Sequence, residues 1–165
     1  MPGPAELRTE RLLLRAPTLA DMSRLVALST DPSVNRHSPS GPPTVLQSRA
    51  AVRQSIAAWR RDGIGHWVVE HDGRLAGVTG VRPIELRGGP YWNVYYRFAP
   101  EMWGRGIASE AVRAALAAAR DQLPGRPFVV RTRPANDAAI KLAQAVGLSR
   151  SPQLDADGFV IFSGL

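Results

Sequence analysis

Apolar residues recur at the spacing of one helix face in four stretches of the chain. Thr18, with Asp21 three residues further on, is a candidate N-cap for the first stretch, and Gly63 follows the second as a stop signal. The apolar face of the third stretch is mostly alanine, so that helix can approach a sheet closely. We therefore predict helices over residues 19–28, 45–61, 106–123 and 136–146.

Runs of β-branched and aromatic residues lie between these stretches and predict strands. Asp72-Gly73 separates two of the runs and is the strongest short signal for a β-hairpin, and Asp157-Gly158 gives the tail a final hairpin signal. The runs cover residues 11–15, 66–71, 74–81, 91–98, 128–130 and 159–162. With a further strand before Asp157 in the final hairpin, the order β-α-α-β-β-β-α-β-α-β-β predicts a mixed α/β fold with helices on both faces of one sheet.

Length and composition narrow the function classes. A chain of 165 residues without internal repeats has the size of a single domain, residues 1–165. No apolar run approaches the roughly 20 residues that cross a bilayer, and the first residues lack the apolar core of a leader peptide. We therefore expect a cytoplasmic protein with no membrane partner. The absence of cysteine removes disulfides and a cysteine acyl-enzyme.

The net charge of +7 is carried almost entirely by arginine, because Lys141 is the only lysine. Two interpretations are open. One is attraction to an anionic partner, either a phosphorylated cofactor or nucleic acid; the other is the compositional bias of a GC-rich bacterial genome. The arginines are spread from Arg8 to Arg150 without a dense basic run. Nucleic acid is therefore not the expected partner.

The segment with the clearest chemistry is Trp-Gly-Arg-Gly-Ile-Ala at residues 103–108, between a strand and the alanine-rich helix. The first turn of a helix leaves backbone N–H groups unpaired and partly positive, which suits a phosphate. Gly104 and Gly106 permit unusual backbone angles, and Arg105 adds a cationic fork. A dinucleotide-binding turn would need a third glycine where Ser109 stands, and no Walker A loop is present. A glycine turn without a ligand remains an alternative.

Residues 95–100 (Tyr-Tyr-Arg-Phe-Ala-Pro) followed by Glu-Met-Trp-Gly-Arg-Gly-Ile-Ala-Ser-Glu-Ala-Val resemble the acetyl-CoA motif of the GNAT family of N-acetyltransferases, in particular its Rim-type ribosomal-protein branch. The family's Gln/Arg-x-x-Gly-x-Gly/Ala motif maps onto Trp103, Gly106 and Ala108, with tryptophan in the first place. A second segment, residues 136–148, resembles the branch's N-x-x-S-x-x-L-x-x-x-G-F pattern. Weaker likeness includes the opening Thr-Glu-Arg-Leu-Leu-Leu-Arg.

This resemblance implies a mostly antiparallel sheet in which a central strand pair splays apart and holds the pantetheine arm of acetyl-CoA. Backbone N–H groups of the loop and helix start would hold its diphosphate. The cofactor-binding residues expected from the match are Phe98, Ala99, Trp103, Gly104, Arg105, Gly106, Ile107, Ala108, Ser109 and Asn136. Arg105, Arg131 and Arg133 are candidates for the adenosine 3′-phosphate, with surface solubility as the equal alternative.

The resemblance also implies direct transfer from thioester to amine, with a backbone N–H near Phe98 facing the carbonyl oxygen. The family's usual proton-handling positions look empty, since this chain has Asn93, Ala139 and Ala143 there. Possible substitutes are Glu85, Tyr91, Tyr95 and Tyr96, with aromatic core packing as the other interpretation for two of the three tyrosines. A site without a strong base favours an α-amine, whose deprotonation at pH 7 costs about 1 kcal/mol against about 4.6 kcal/mol for lysine.

The sequence thus predicts an acetyl-CoA-dependent N-acetyltransferase acting on a protein N-terminus or a small-molecule amine, as a monomer or homodimer. The alternative is a module of the same fold that binds acyl-CoA with little turnover. His37, His66 and His71 lack a metal-binding spacing, so no metal is expected.

Overall fold

The computed structural model describes residues 5–165, and the named strands in that range form one eight-stranded sheet. The strands are β1 (Glu6–Arg8), β2 (Leu12–Arg15), β3 (Trp67–His71), β4 (Arg74–Leu86), β5 (Gly89–Phe98), β6 (Phe128–Thr132), β7 (Ser149–Arg150) and β8 (Val160–Gly164). The helices are α1 (Met22–Thr30), α2 (Val45–Asp62), α3 (Ile107–Gln122) and α4 (Asp137–Ala145). Across the sheet the order is β1-β2-β3-β4-β5-β6-β8-β7.

The neighbouring strands are antiparallel except for β5 and β6, which run parallel. Helices cover both faces of this sheet. Adjacent residues of β3 point to opposite faces, and Val68 packs in the cluster that contains Leu25 of α1 and Val52 of α2. Val69 packs in the larger cluster that contains Val112 of α3. The mixed, mostly antiparallel fold predicted from the sequence is therefore confirmed.

Local turn and cap chemistry formed as predicted. Thr18 and Asp21 make a capping box, and Gly63 ends α2 in the left-handed region at φ 67°. Asp72 and Gly73 have φ values of 50° and 73°, as a tight hairpin between β3 and β4 requires. These signals depend on only a few neighbouring residues, so they can be recognised in a sequence.

The prediction differed from the structure near the N-terminus. β1 was not foreseen, because its short, polar sequence becomes a strand only by pairing with β2. The first predicted helix begins with a 3₁₀ turn, Leu19–Asp21, before α1. The expectation of no leader peptide falls partly on residues 1–4, which lie outside the described residues. Of the helices in residues 5–165, none has the length and apolar character needed to span a bilayer.

Candidate active site

The parallel strands β5 and β6 separate soon after they meet. Their pairing comprises Trp92 opposite Phe128 and Asn93 opposite Val129. Beyond this point β5 continues along β4, and β6 continues along β8. An opening, which we call the wedge, therefore lies between residues 94–98 of β5 and 130–132 of β6. The splayed central pair expected from the resemblance is confirmed.

The backbone of β5 presents free hydrogen-bonding groups to the wedge. The Trp92 N–H donates toward β6, to the Pro127 carbonyl at 2.9 Å, whereas the Ala99 N–H donates toward β4, to the Ala76 carbonyl at 2.9 Å. Successive residues of a strand direct their backbone groups to alternate sides, and the β4–β5 register is continuous. The N–H and C=O groups of Tyr96 and Phe98 therefore point into the wedge.

The tryptophan of the glycine motif lies at the mouth of the wedge. The Trp103 Nε1–H donates to the Phe98 carbonyl at 2.9 Å, which leaves the Phe98 N–H as the adjacent donor. The Trp103 side chain is 43% exposed although it is large and apolar, and the Arg36 guanidinium carbon lies 5.8 Å from the centroid of its ring. An indole held in this way offers a flat surface to a ligand that enters the wedge.

The glycine loop, residues 103–106, leads directly into α3. Gly104 and Gly106 have φ values of 72° and 73°, and Gly106 is the N-cap of α3. Space is open beside Gly104: a Cβ atom there would have no heavy atom within 4 Å other than those of its chain neighbours. Ile107 is fully buried and anchors the helix, so the N–H groups of its first turn face outward from a fixed backbone. This arrangement suits a diphosphate.

The rest of the helix start is accessible at its outer side. Arg105 is exposed, and Ala108 and Ser109 are half-buried. The Ser109 hydroxyl donates to the Gly106 carbonyl at 3.1 Å. Arg105 lies within the glycine loop, and its exposed guanidinium adds a positive charge there.

A clamp from the opposite end of the sequence fixes the glycine loop. Arg11 Nη1 donates to the Arg105 carbonyl at 2.8 Å, and Arg11 Nε donates to Glu110 of α3 at 2.7 Å. The Thr9 hydroxyl donates to the same carboxylate at 2.6 Å. Burial alone would raise the pKa of Glu110, but the hydrogen bonds from Thr9 and Arg11 lower it overall. Glu110 is therefore a carboxylate that ties the turn between β1 and β2 to the N-terminal end of α3.

Polar groups also gather near the C-terminal end of β6. Asn136 is the N-cap of α4, where its Oδ1 accepts from the Ala139 N–H at 3.2 Å, so its amide nitrogen is the group left to reach a ligand. The guanidinium carbons of Arg131 and Arg133 lie 3.9 Å and 4.1 Å from the centroid of the Phe159 ring. The two arginines therefore share one aromatic support.

A cavity between α1, α2 and the sheet, which we call the α1–α2 pocket, borders β5 on the face of the sheet that α1 and α2 cover. Its cavity volume is about 140 Å³, below the roughly 300–1,000 Å³ of sites for drug-sized ligands, so it suits only a small molecule or group. Its floor is apolar, and His66, Tyr95 and Arg97 form one wall. The rings of His66 and Tyr95 are stacked with centroids 4.6 Å apart. Because Tyr95 and Arg97 belong to the segment of β5 that edges the wedge, the pocket and the wedge share one strand.

Residues 11–149 match the family model of the acetyltransferase (GNAT) domain. The chain belongs to the GNAT acetyltransferase family. The resemblance noted in the sequence is thereby confirmed, and the chain is an enzyme of the acetyltransferase class.

Other proteins share sequence or fold with this GNAT chain. The uncharacterized protein YkkB of Bacillus subtilis (strain 168) is 28% identical over 154 residues, 92% of this chain and 89% of that protein. An acetyltransferase of Agrobacterium tumefaciens str. C58 superposes with a TM-score of 0.83 at 21% identity, covering 97% and 94% of the two chains. RimL, the ribosomal L7/L12 α-N-protein acetyltransferase, solved in complex with coenzyme A, gives 0.76 at 19% identity, covering 98% and 96%.

The structure separates Tyr95 and Glu85, two of the candidate side chains for proton transfer. Tyr95 lies in the wall of the α1–α2 pocket, beside the wedge. Glu85 is exposed near the other end of the β4–β5 hairpin, opposite Pro90, whereas Phe98 is opposite Gly77. At about 3.3 Å per residue, this offset places Glu85 roughly 26 Å along β4 from the position opposite Phe98. The structure therefore does not bring Glu85 to the site.

Several residues of this GNAT site were missed by reasoning from sequence alone. The clamp pair Arg11 and Glu110 gave a signal only through the family-like opening, whose role was not apparent. Arg97 shares a strand face with Tyr95, which strict alternation could have indicated. His66 was considered only as a metal ligand; burial, helped by the charge of Arg82, lowers its pKa to about 4, so it is neutral at pH 7.

Proposed function

We propose that the protein is an acetyl-CoA-dependent N-acetyltransferase that transfers the acetyl group directly to an α-amine, with residues 1–165 acting as one catalytic domain in the cytoplasm. The observation that carries this proposal is the wedge: a strand edge with unpaired backbone groups next to a glycine loop at a helix start. The pocket for the second substrate opens on the same strand.

The residues present fit acetyl-CoA. The peptide-like pantetheine arm can pair with the backbone N–H and C=O groups of Tyr96 as an added strand would. The diphosphate can accept from the N–H groups of residues 104–109, where Gly104 leaves open space and Arg105 adds charge. Asn136 and the arginines at the end of β6 lie on the other side of the opening. Acetyl-CoA, when bound, supplies an acetyl group already activated as a thioester.

The chain's own groups would then position the thioester and polarise its carbonyl. The Phe98 N–H, fixed by the β-sheet and directed into the wedge, would donate to the acetyl oxygen, where negative charge develops. A bond forms between the acceptor nitrogen and the acetyl carbon as the carbon–sulfur bond breaks, and the proton lost by nitrogen ends on the sulfur. The chain has no cysteine, so a cysteine acyl-enzyme is excluded.

The α-amine acceptor follows from the charge of the pocket. No aspartate or glutamate is among the described residues that line the α1–α2 pocket. Without a carboxylate as base, the acceptor must supply its own neutral amine. That costs about 1 kcal/mol at pH 7 for the α-amine of a peptide or protein terminus and about 4.6 kcal/mol for a lysine side chain. A small molecule with an α-amine meets the same requirement when no free negative charge stabilises its ammonium form.

The test is release of free thiol from acetyl-CoA by the purified protein with matched amines. We expect turnover with amino acids or short peptides that carry a free α-amine, and at least tenfold lower kcat/KM with Nα-acetyl-lysine amide. A preference for the lysine side chain would overturn the α-amine acceptor. Binding of acetyl-CoA without thiol release on any acceptor would favour the binding-module alternative.

A matched pair of glycine variants controls for the cofactor site. Gly106→Asp puts a negatively charged side chain at the start of α3, with its Cβ 3.4 Å from Arg11 Nη2, where its charge opposes that of the diphosphate. Gly73→Asp makes the same change at the same φ of 73° in the β3–β4 turn. We expect only Gly106→Asp to abolish acetyl-CoA binding in calorimetry. Loss of binding in both variants, or in neither, contradicts the assignment of the glycine loop.

A further inference from the structure

The α1–α2 pocket contains a cation without an anionic partner. Arg97 is half-buried in the pocket wall, where its Nη1 donates to the Ser29 carbonyl at 3.3 Å. Its guanidinium carbon also lies 5.6 Å from the centroid of the Tyr95 ring. Within residues 5–165, no carboxylate lies within 4.0 Å of this guanidinium. A partly buried charge is costly unless it is paired, so this arrangement suits an anionic group on the ligand.

A second polar group in the same pocket lacks a partner. The Ser55 hydroxyl oxygen is buried and makes no hydrogen bond within the described part of the chain. Ser55 lines the pocket, together with the side chains of Ser29 and Ser48. Buried polar atoms are nearly always hydrogen-bonded in folded proteins. Ser55 therefore points to a ligand that brings a polar group into an otherwise apolar pocket.

The other titratable groups near this wall are either positively charged or neutral. The Arg82 guanidinium carbon lies 5.7 Å from the centroid of the same Tyr95 ring. Burial, together with Arg82, lowers the pKa of His66, so the imidazole stacked on Tyr95 adds no charge at pH 7. A wall with this charge repels polyamines and other polycations, and it favours the neutral form of a nearby amine.

We propose that the acceptor is a small primary amine that also carries a free carboxylate, such as an α-amino acid with an apolar side chain, and that Arg97 binds this carboxylate. The assignment rests on the proposed N-acetyltransferase function. Arg97 would hold the carboxylate, the apolar floor would take the side chain, and the amine would face the acetyl group across β5. When Arg97 neutralises the carboxylate, the ammonium loses the negative charge that stabilised it, so the amine is easier to deprotonate. A protein N-terminus lacks the adjacent carboxylate and leaves Arg97 unpaired, so it is disfavoured.

The experiment compares kcat/KM for the free L-amino acids, their carboxamides and spermidine in the thiol-release assay. The best acceptor is expected among the free amino acids, about tenfold or more above its own amide, the effect of a charged hydrogen bond. Equal or better activity with the amide, with a peptide N-terminus or with spermidine overturns the carboxylate assignment while leaving the transferase function intact. No thiol release with any acceptor defeats the transferase function itself.

Arginine variants test whether Arg97 is the carboxylate-binding group. Arg97→Gln is expected to reduce the ratio of acid to amide to within about twofold, mainly through the KM of the amino acid, and Arg97→Lys is expected to retain part of the preference. Arg82→Gln removes a charge near the same ring but is exposed and does not line the pocket. It should keep the full preference. Retention of the wild-type ratio in folded Arg97→Gln would refute the proposal.

Discussion

Arg11 ties the turn between β1 and β2 to the glycine loop and the start of α3, so its removal tests how the glycine loop is held. The most informative change is Arg11→Met, which keeps most of the side-chain length and removes the charge. It deletes the 2.8 Å hydrogen bond to the Arg105 carbonyl and the two 2.7 Å contacts with Glu110. Glu110 keeps the Thr9 hydroxyl and the backbone N–H of residue 11 as donors. The loop therefore loses its anchor while the carboxylate remains hydrogen-bonded.

The expected loss of acetyl-CoA affinity in Arg11→Met follows from the contacts of Arg11 and their exposure to solvent. Hydrogen bonds to charged groups contribute about 1.5–3 kcal/mol each, but the Arg11 side chain is 38% exposed, so solvent screens part of this. We take about 1–2 kcal/mol as the cost of ordering the loop without its anchor. That corresponds to a Kd for acetyl-CoA weaker by about 5–30-fold. kcat should fall less, because the Phe98 N–H belongs to β5 and not to the loop.

Calorimetric titration with acetyl-CoA measures the change in Kd, and thermal unfolding measures the change in Tm, both at pH 7. Arg8→Met is the matched control, since Arg8 lies on the adjacent strand and pairs with Glu6 where both side chains are well exposed. It should change neither quantity. If Arg11→Met bound acetyl-CoA within twofold of the wild type while its Tm fell, the clamp would serve only the stability of the fold, and our reasoning would be refuted.

Three further results are expected. Gly106→Ala and Gly73→Ala each place alanine at φ 73° and should each lower the free energy of unfolding by about 1 kcal/mol, yet only Gly106→Ala should weaken acetyl-CoA binding; equal weakening would contradict the loop's role. Burial lowers the pKa of His66 from 6.5 to about 4, so below pH 6.5 the unfolded state binds a proton that the folded state does not. The free energy of unfolding should therefore fall by about 3 kcal/mol as the pH drops from 6.5 toward 4. Urea unfolding at pH 7 and 4.5 should show this loss, and His66→Gln should remove it. The hydrogen bond from Arg15 lowers the pKa of Asp21 to about 2, so roughly 2 kcal/mol should disappear only between about pH 4 and pH 2; an unchanged acid profile in Asp21→Asn would disprove that assignment.

The elements of the fold were largely readable from the sequence. The bounds of α2, α3 and α4 agree with the predicted helices to within a residue or two, and the Asp72-Gly73 turn formed where it was expected. These features arise from contacts between residues three or four apart, or from the backbone preferences of single residues. β1 was missed because it depends on β2, its pairing partner.

The candidate site was readable only in part. The glycine loop could be recognised in the sequence, because glycines directly before an alanine-rich helix are typical of a helix start that binds phosphate. The clamp could not, since Arg11 and Glu110 are 99 residues apart and each resembles an ordinary surface charge in the sequence. Glu85 looked suitable as an acid or base by residue type, but the length of β4 carries it away from the wedge.

The sequence by itself determined the order of helices and strands, the glycine loop at the start of α3 and the family to which the chain belongs. Only the tertiary structure decided that β5 and β6 separate after two residue pairs, that the backbone of Phe98 faces the opening, and that Arg97 lines a pocket without a carboxylate. The reason is physical. Periodicity and turn chemistry act between neighbours along the chain, whereas strand divergence, burial and charge pairing depend on which distant segments pack together.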